Sequence, residues 1–158
     1  IIKAGELRDQ YQLIHVTGER FYDSFIKETR AFNMGNNVKI MPYLFDIPEA
    51  LNIADLIVTS SGAITLAEIS AVGIPSILIP KGYTAENHQE YNARAFERNQ
   101  ASEVILDKDL NAKILSDKIF NILSDQNKLE KMKDQSKALG KIDAASDIYK
   151  LVEQLILK

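Results

Sequence analysis

The sequence predicts an α/β fold, a Rossmann-like, mostly parallel sheet with helices on both faces. Three observations carry that prediction. Short apolar runs alternate with segments of helical periodicity along most of the chain. The runs are closed by Gly, Pro, Asn or Ser, which end strands and cap helices. Successive runs are also separated by enough residues for a crossover helix, which parallel strands require.

Each element can be justified in turn. Tyr11 to Val16 (YQLIHV) is a short apolar run closed by Thr17-Gly18 and reads as a buried strand with its turn. Phe21, Phe25, Ile26 and Phe32 then recur at helical spacing, and Asn33 to Asn37 (NMGNN) is a turn cluster. Val38 to Tyr43 is the second strand, ended by Pro42, and Ile47 to Ala54 is a helix with Pro48 in its first turn and Asp46 as its cap. Leu56 to Thr59 (LIVT) shows no polar alternation, so burial on both faces is expected. Ala63 to Ala71 is helical and stops at Gly73, and Pro75 leads into the strand Ser76 to Ile79. Glu86 to Arg98 is a helix, Ala101 to Ile105 a strand and Asn111 to Ser124 a helix, while Asp125 to Leu139 and Ala144 to Leu157 complete a helical C-terminus. No repeat, low-complexity tract or linker divides the 158 residues, so one domain over 1–158 is expected.

Composition excludes several classes. Lys plus Arg is 19 and Asp plus Glu is 22, a formal net charge of −3, which leaves no bulk electrostatic footprint for nucleic acid. There is no cysteine, so disulfides, thiolate metal sites and a cysteine nucleophile are out. His15 and His88 are the two histidines, too few for a multi-histidine zinc site. The longest apolar runs, such as Ile74 to Pro80, fall far short of the roughly 20 residues that span a bilayer. No secretory signal is visible, and a cytoplasmic-type chain is expected. The chain opens at Ile1 without a methionine, in a segment (IIKAGELRDQ) that reads as the tail of a helix, so a trimmed start is expected.

In open parallel sheets the ligand sits beyond the carboxyl ends of the strands. That rule selects His15 to Arg20, Pro42 to Asp46, Thr59 to Glu68 and Pro80 to Asn92. In the third of these, a strand runs into Ser60, Ser61 and Gly62 and then directly into a helix. Gly62 allows close approach to the backbone, and the first N–H groups of the helix, through Ala63, Ile64 and Thr65, suit a phosphate or pyrophosphate. Simple N-capping by Ser61 explains the same pattern without a ligand. Glu68, one turn deeper on the same face, could accept two hydrogen bonds from a ribose diol. Thr65-x-x-Glu68 equally fits a capping box. In the fourth segment His88, Gln89 and Asn92 lie at a helix start, where amides suit sugar hydroxyls. An exposed polar helix start accounts for them as well.

Three motifs in order carry a resemblance. They are Ala54-Asp55-Leu56-Ile57-Val58-Thr59-Ser60-Ser61-Gly62-Ala63-Ile64-Thr65-Leu66-Ala67-Glu68, then Gly73-Ile74-Pro75-Ser76-Ile77-Leu78-Ile79-Pro80, then Asn87-His88-Gln89-x-x-Asn92-Ala93. With His15-Val-Thr-Gly18 they resemble the MurG family over essentially the whole chain. These bacterial transferases move N-acetylglucosamine from UDP-N-acetylglucosamine to the undecaprenyl-pyrophosphoryl muramyl-pentapeptide, producing lipid II for peptidoglycan.

The resemblance implies the C-terminal, donor-binding half of a two-domain GT-B enzyme that inverts the anomeric centre and needs no cofactor or metal. It implies that Ser61, Gly62, Ala63, Ile64 and Thr65 meet the diphosphate and sugar, and that Glu68 holds the ribose hydroxyls. It further implies that Gln89, with His88 beside it and Asn92 closing the motif, reads N-acetylglucosamine, and that the Leu44 backbone pairs with uracil. The family's glycine-rich loop and N-terminal half have no counterpart in the chain. The acceptor site, the catalytic base and the contact with the inner face of the cell membrane are expected in that half. Ser60 stands where some members carry arginine. This chain alone is therefore expected to be inactive, with no catalytic residue of its own. Without the first strand of the sheet, either Tyr11 to Val16 pairs directly with Leu56 to Thr59, or another chain, as in a dimer, or residues outside this sequence fill the gap. A non-catalytic UDP-sugar-binding subunit that recruits an acceptor-domain partner, and a related epimerase or hydrolase half, are the competing functions.

Overall fold

A computed structural model describes residues 11–32, 34–82 and 87–157. The expected helix tail at Ile1 to Gln10 and the expected helix start at Glu86 lie outside the described residues. The chain divides into two compact units between Ala50 and Leu51.

The first unit is a βαβ element. Strand β1 (Leu13–Val16) pairs in parallel with β2 (Val38–Met41), from Leu13 opposite Val38 to Val16 opposite Met41. Helix α1 (Glu19–Thr29) makes the crossover. Its N-cap is Gly18 at φ 78°, a left-handed conformation that favours glycine. The His15 ring stacks on Phe25 of α1 at 4.6 Å, and burial pushes the imidazole pKa below its ordinary value. The other face of β1 is open. Ile14 and Val16 are each 44% exposed, which corrects the expectation of a buried strand. Alternation places them opposite His15 and Leu13, on the face away from the Phe25 stack. Helix α2 (Ile47–Ile53) starts as expected, with Asp46 Oδ1 accepting the Glu49 N–H at 3.1 Å.

The second unit is a three-layer sandwich. Strands β3 (Ile57–Thr59), β4 (Ser76–Leu78) and β5 (Ser102–Val104) are parallel in the order β3-β4-β5, with Thr59 opposite Leu78 and Leu78 opposite Val104. Helices α3 (Ala63–Val72) and α4 (His88–Arg98) contribute Leu66, Ile69 and Ala93 to a core with Leu78 and Val104. On the opposite face α5 (Ala112–Leu123) and α6 (Gln126–Leu139) contribute Ile122 and Met132 to a second core with Ile77 and Ile105. Both faces of the central strand are thus covered, and β4 is buried throughout.

Edge strand β3 departs from expectation, because Val58 is 38% exposed. Val58 projects to the face opposite Ile57, and the apolar groups of α5 and α6 on that face pack over Ile77 and Ile105 of the neighbouring segments. The two ladders, β1–β2 and β3–β4–β5, are separate, so direct pairing of Tyr11 to Val16 with Leu56 to Thr59 is not among them.

Local chemistry sets the helix ends. Gly73 closes α3 at φ 82°, its N–H donating to the Ile69 carbonyl at 2.8 Å. Asn111 and Asp125 cap α5 and α6 by accepting the N–H groups of Ile114 and Lys128. Glu103 on β5 receives Lys118 from α5 and, at 2.5 Å, Lys128 from α6. Burial alone would raise this carboxyl, but the two ammonium groups hold it below the usual carboxylate range. Its stabilising effect is therefore present above the unfolded carboxyl pKa and is lost as the pH falls through the lower folded value. The last helix, α7 (Ala144–Ile156), leaves Ile148, Leu151 and Leu155 exposed. No helix among the described residues is long and apolar enough to cross a membrane.

Candidate functional site

Parallel register puts the carboxyl ends of β3 and β4 side by side, and the Ile79 N–H extends the ladder to the Thr59 carbonyl at 2.8 Å. The loops that follow, residues 60–62 and 79–82, therefore leave the sheet together. This is the position the strand-end rule selects. A groove of about 430 Å³ bounded in part by Gln100, Ser102, Lys131 and Met132 lies instead at the amino end of β5, and it holds none of the residues singled out from the sequence.

The N-cap of α3 is Gly62, in extended conformation, with no side-chain cap. The first helical bond runs from the Leu66 N–H to the Gly62 carbonyl. The N–H groups of Ala63, Ile64 and Thr65 consequently have no partner among the described residues, as expected of a helix start. They form the positive end of the helix dipole. Around them Ala63 is exposed, Thr65 is half-buried and the Ile64 side chain is 78% exposed. A Cβ added at Gly62 would meet only Thr65 Oγ1, at 3.9 Å. Protein packing therefore gives no steric reason for glycine at 62, and a ligand that must approach the backbone would.

Two local explanations offered by the sequence fall away here. Ser61 does not cap α3: it is fully buried, and its Oγ donates to the Gln89 carbonyl at 2.7 Å. Thr65 cannot open a capping box with Glu68, because it is already the third helical residue. Glu68 is exposed on α3, one turn beyond Ile64, with no ion pair or hydrogen bond among the described residues.

The second polar cluster is tied to the first. Asn92 Nδ2 donates to the Ser61 carbonyl at 3.1 Å, and Gln89 Oε1 accepts the Lys81 N–H at 3.0 Å. Ser61, Gln89, Asn92 and Lys81 thus bind the loops after β3 and β4 to the first turns of α4. Gln89 keeps its Nε2 donor without a partner among the described residues. Asn87, the N-cap of α4, adopts a left-handed conformation at φ 53°, and His88 is exposed beside it. Sequence reasoning missed Lys81, whose contribution is a backbone N–H and leaves no trace in residue type. Leu44 lies in the first unit, on the loop after β2, and is half-buried. Tyr43 and Phe45 flank it, with their rings edge-to-face at 4.9 Å.

Known proteins share this fold and sequence. Residues 2–150 match the model of the glycosyltransferase family 28 C-terminal domain. A protein of Finegoldia magna named UDP-N-acetylglucosamine–N-acetylmuramyl-(pentapeptide) pyrophosphoryl-undecaprenol N-acetylglucosamine transferase is 50% identical over 151 residues, covering 93% of this chain and 40% of that protein. A namesake from Caldanaerobacter subterraneus subsp. tengcongensis is 43% identical over 158 residues, covering 98% of this chain and 43% of its own length. The chain thus spans less than half the length of these relatives. Among solved structures, Acinetobacter baumannii MurG superimposes with a TM-score of 0.79 at 20% identity, covering 90% of this chain and 43% of that one. Anabaena HepE, crystallised in complex with UDP, superimposes with a TM-score of 0.69 at 19% identity, covering 99% of this chain and 44% of that one. Both show the same α/β architecture, the C-terminal domain of the GT-B fold. The chain thus shares a known scaffold with these proteins and belongs to the glycosyltransferase family 28 C-terminal domain family.

Proposed function

We propose that this chain is the donor-binding half of an inverting glycosyltransferase. In that reading the full-length protein transfers N-acetylglucosamine from UDP-N-acetylglucosamine to a lipid-linked muramyl-pentapeptide, making lipid II on the inner face of the cell membrane. The observation that carries the reading is the convergence, beyond β3 and β4, of the N–H groups of Ala63, Ile64 and Thr65, which have no partner among the described residues, with the Ser61–Gln89–Asn92 bonds. The name shared by the two relatives above, which cites this donor and this acceptor, agrees with it.

Each residue has a physical role. The helix start stabilises the diphosphate, whose negative charge grows as the glycosidic bond to the sugar breaks. Glu68 accepts from the ribose hydroxyls, the Leu44 backbone pairs with uracil, and Gln89 donates from Nε2 to a sugar hydroxyl, with His88 beside it. The base that deprotonates the acceptor hydroxyl lies outside this chain, in the acceptor-binding part of the protein. Titration of the full-length protein with UDP-N-acetylglucosamine, with transfer of radiolabelled sugar to the lipid acceptor, tests the whole reading. Absence of both binding and transfer would reject it.

Two variants test its parts. Gly62→Ala should cost less than about 1 kcal/mol of stability, the usual difference between glycine and alanine at an N-cap. The same methyl group would stand where the diphosphate approaches, so UDP affinity should fall at least about tenfold. Thermal melting and calorimetry on one preparation separate the two effects, and a variant with unchanged affinity would refute the close approach. Gln89→Glu keeps an acceptor for the Lys81 N–H but removes the Nε2 donor. It should weaken UDP-N-acetylglucosamine more than UDP by about 0.5–1.5 kcal/mol, one hydrogen bond, since the added carboxylate charge acts on both ligands alike. Equal losses for both ligands would mean that Gln89 only shapes the loop.

A further inference from the structure

Asn92 projects from the second turn of α4, 31 residues beyond the serine whose carbonyl it holds at 3.1 Å. Ser61 itself is fully buried, and its hydroxyl is anchored on the Gln89 carbonyl at 2.7 Å. The side chain and the carbonyl of Ser61 are therefore both fastened to α4. The peptide group is planar and trans, so fixing the Ser61 carbonyl also fixes the Gly62 N–H, which points the opposite way. Gly62 in turn supplies the carbonyl for the first bond of α3, from the Leu66 N–H at 3.0 Å. Rotation of this one peptide would carry the open N–H groups of Ala63, Ile64 and Thr65 with it.

We infer that Asn92 is a positioning residue for the diphosphate grip: through the Ser61 carbonyl it aims the start of α3. The inference rests on the donor-binding reading above and goes beyond it, since the amide that closes the sugar-side motif then acts on the phosphate side. Its chemistry fits the role. One Nδ2 N–H makes a half-buried bond between two segments that no helical or sheet hydrogen bond joins at this point. An N–H donor is what a carbonyl at a helix entry requires, and a carboxylate cannot supply it.

The test uses the full-length protein with Asn92→Asp, which keeps the shape but sets an acceptor against the Ser61 carbonyl. Asn92→Ala, which removes the donor without adding charge, serves as the second variant should the first fail to fold. Uridine, UDP and UDP-N-acetylglucosamine are titrated against each protein. Uridine affinity should stay within about twofold, while UDP and UDP-N-acetylglucosamine both weaken about tenfold, the loss of one hydrogen bond's worth of alignment. In the ligand-free variant, amide exchange at Gly62 to Thr65 should quicken about fivefold or more, with α5 and α6 unchanged. Normal UDP affinity with weakened UDP-N-acetylglucosamine would make Asn92 a sugar reader and overturn the inference. Equal losses for uridine and UDP would overturn it too, as general loosening. Unchanged exchange at Gly62 to Thr65 would overturn the positioning role alone, whereas wild-type protein that binds no UDP would overturn the donor reading and the diphosphate role with it.

Discussion

Replacing Glu68 by alanine in the full-length protein should weaken UDP binding by about 1.5–3 kcal/mol, the usual worth of hydrogen bonds to a charged group. The carboxylate stands exposed on α3, one turn past the open helix start, and it has no partner among the described residues. Its removal therefore breaks no bond of the fold, and stability should hardly change. With the capping box excluded by the position of Thr65 inside the helix, no local structural role competes for this side chain. Calorimetry with UDP and with its 2′,3′-dideoxy analogue gives a sharp reading. The variant should lose affinity for UDP but bind the dideoxy analogue as the wild type does. Wild-type affinity for UDP in the variant would remove Glu68 from the ribose site.

Ile69→Ala should lower the unfolding free energy by about 2–5 kcal/mol, the range for truncating a fully buried isoleucine. Ile69 has no solvent exposure and lies in the core formed by Leu66, Ile74, Leu78, Ala93 and Val104. It is the side chain that seats α3 on the sheet, while its carbonyl accepts the closing N–H groups of Gly73 and Ile74. The substitution leaves that carbonyl in place, so the loss measures packing and not the helix end. Urea denaturation followed by circular dichroism checks it. A loss below about 1 kcal/mol would mean that α3 can settle into the cavity, and the seating argument would then fail.

The order of elements was legible in the sequence because each signal acts within one turn of chain. Asp46 announces α2 and is seen capping it, and Gly73 announces the end of α3 and is seen there in a left-handed conformation. The strand Ser76 to Ile79, with apolar residues on both faces, is the buried central strand of its ladder. The family was legible for a related reason: its motifs cluster where loops leave the sheet, and there residue identity is set by what the loop must do.

What the sequence could not decide depended on partners distant along the chain. A similar apolar run predicts burial for Leu56 to Thr59, yet Val58 is exposed, because cover depends on where α5 and α6 come to rest. Ile14 and Val16 in the first unit are likewise exposed where the apolar run predicts burial. Ser61 reads locally as a cap, but in the fold it bonds a carbonyl 28 residues away, and Asn92 reaches back across 31 residues to the same loop. Capping preference is a property of one turn, whereas these two bonds exist only once parallel pairing of β3 with β4 has brought their loops together. The sequence by itself thus determined the α/β order, the ends of α2 and α3 marked by Asp46 and Gly73, and the family. Tertiary structure alone decided which polar side chains brace the backbone and which stay free, because the competing partners are set by sheet register and helix packing.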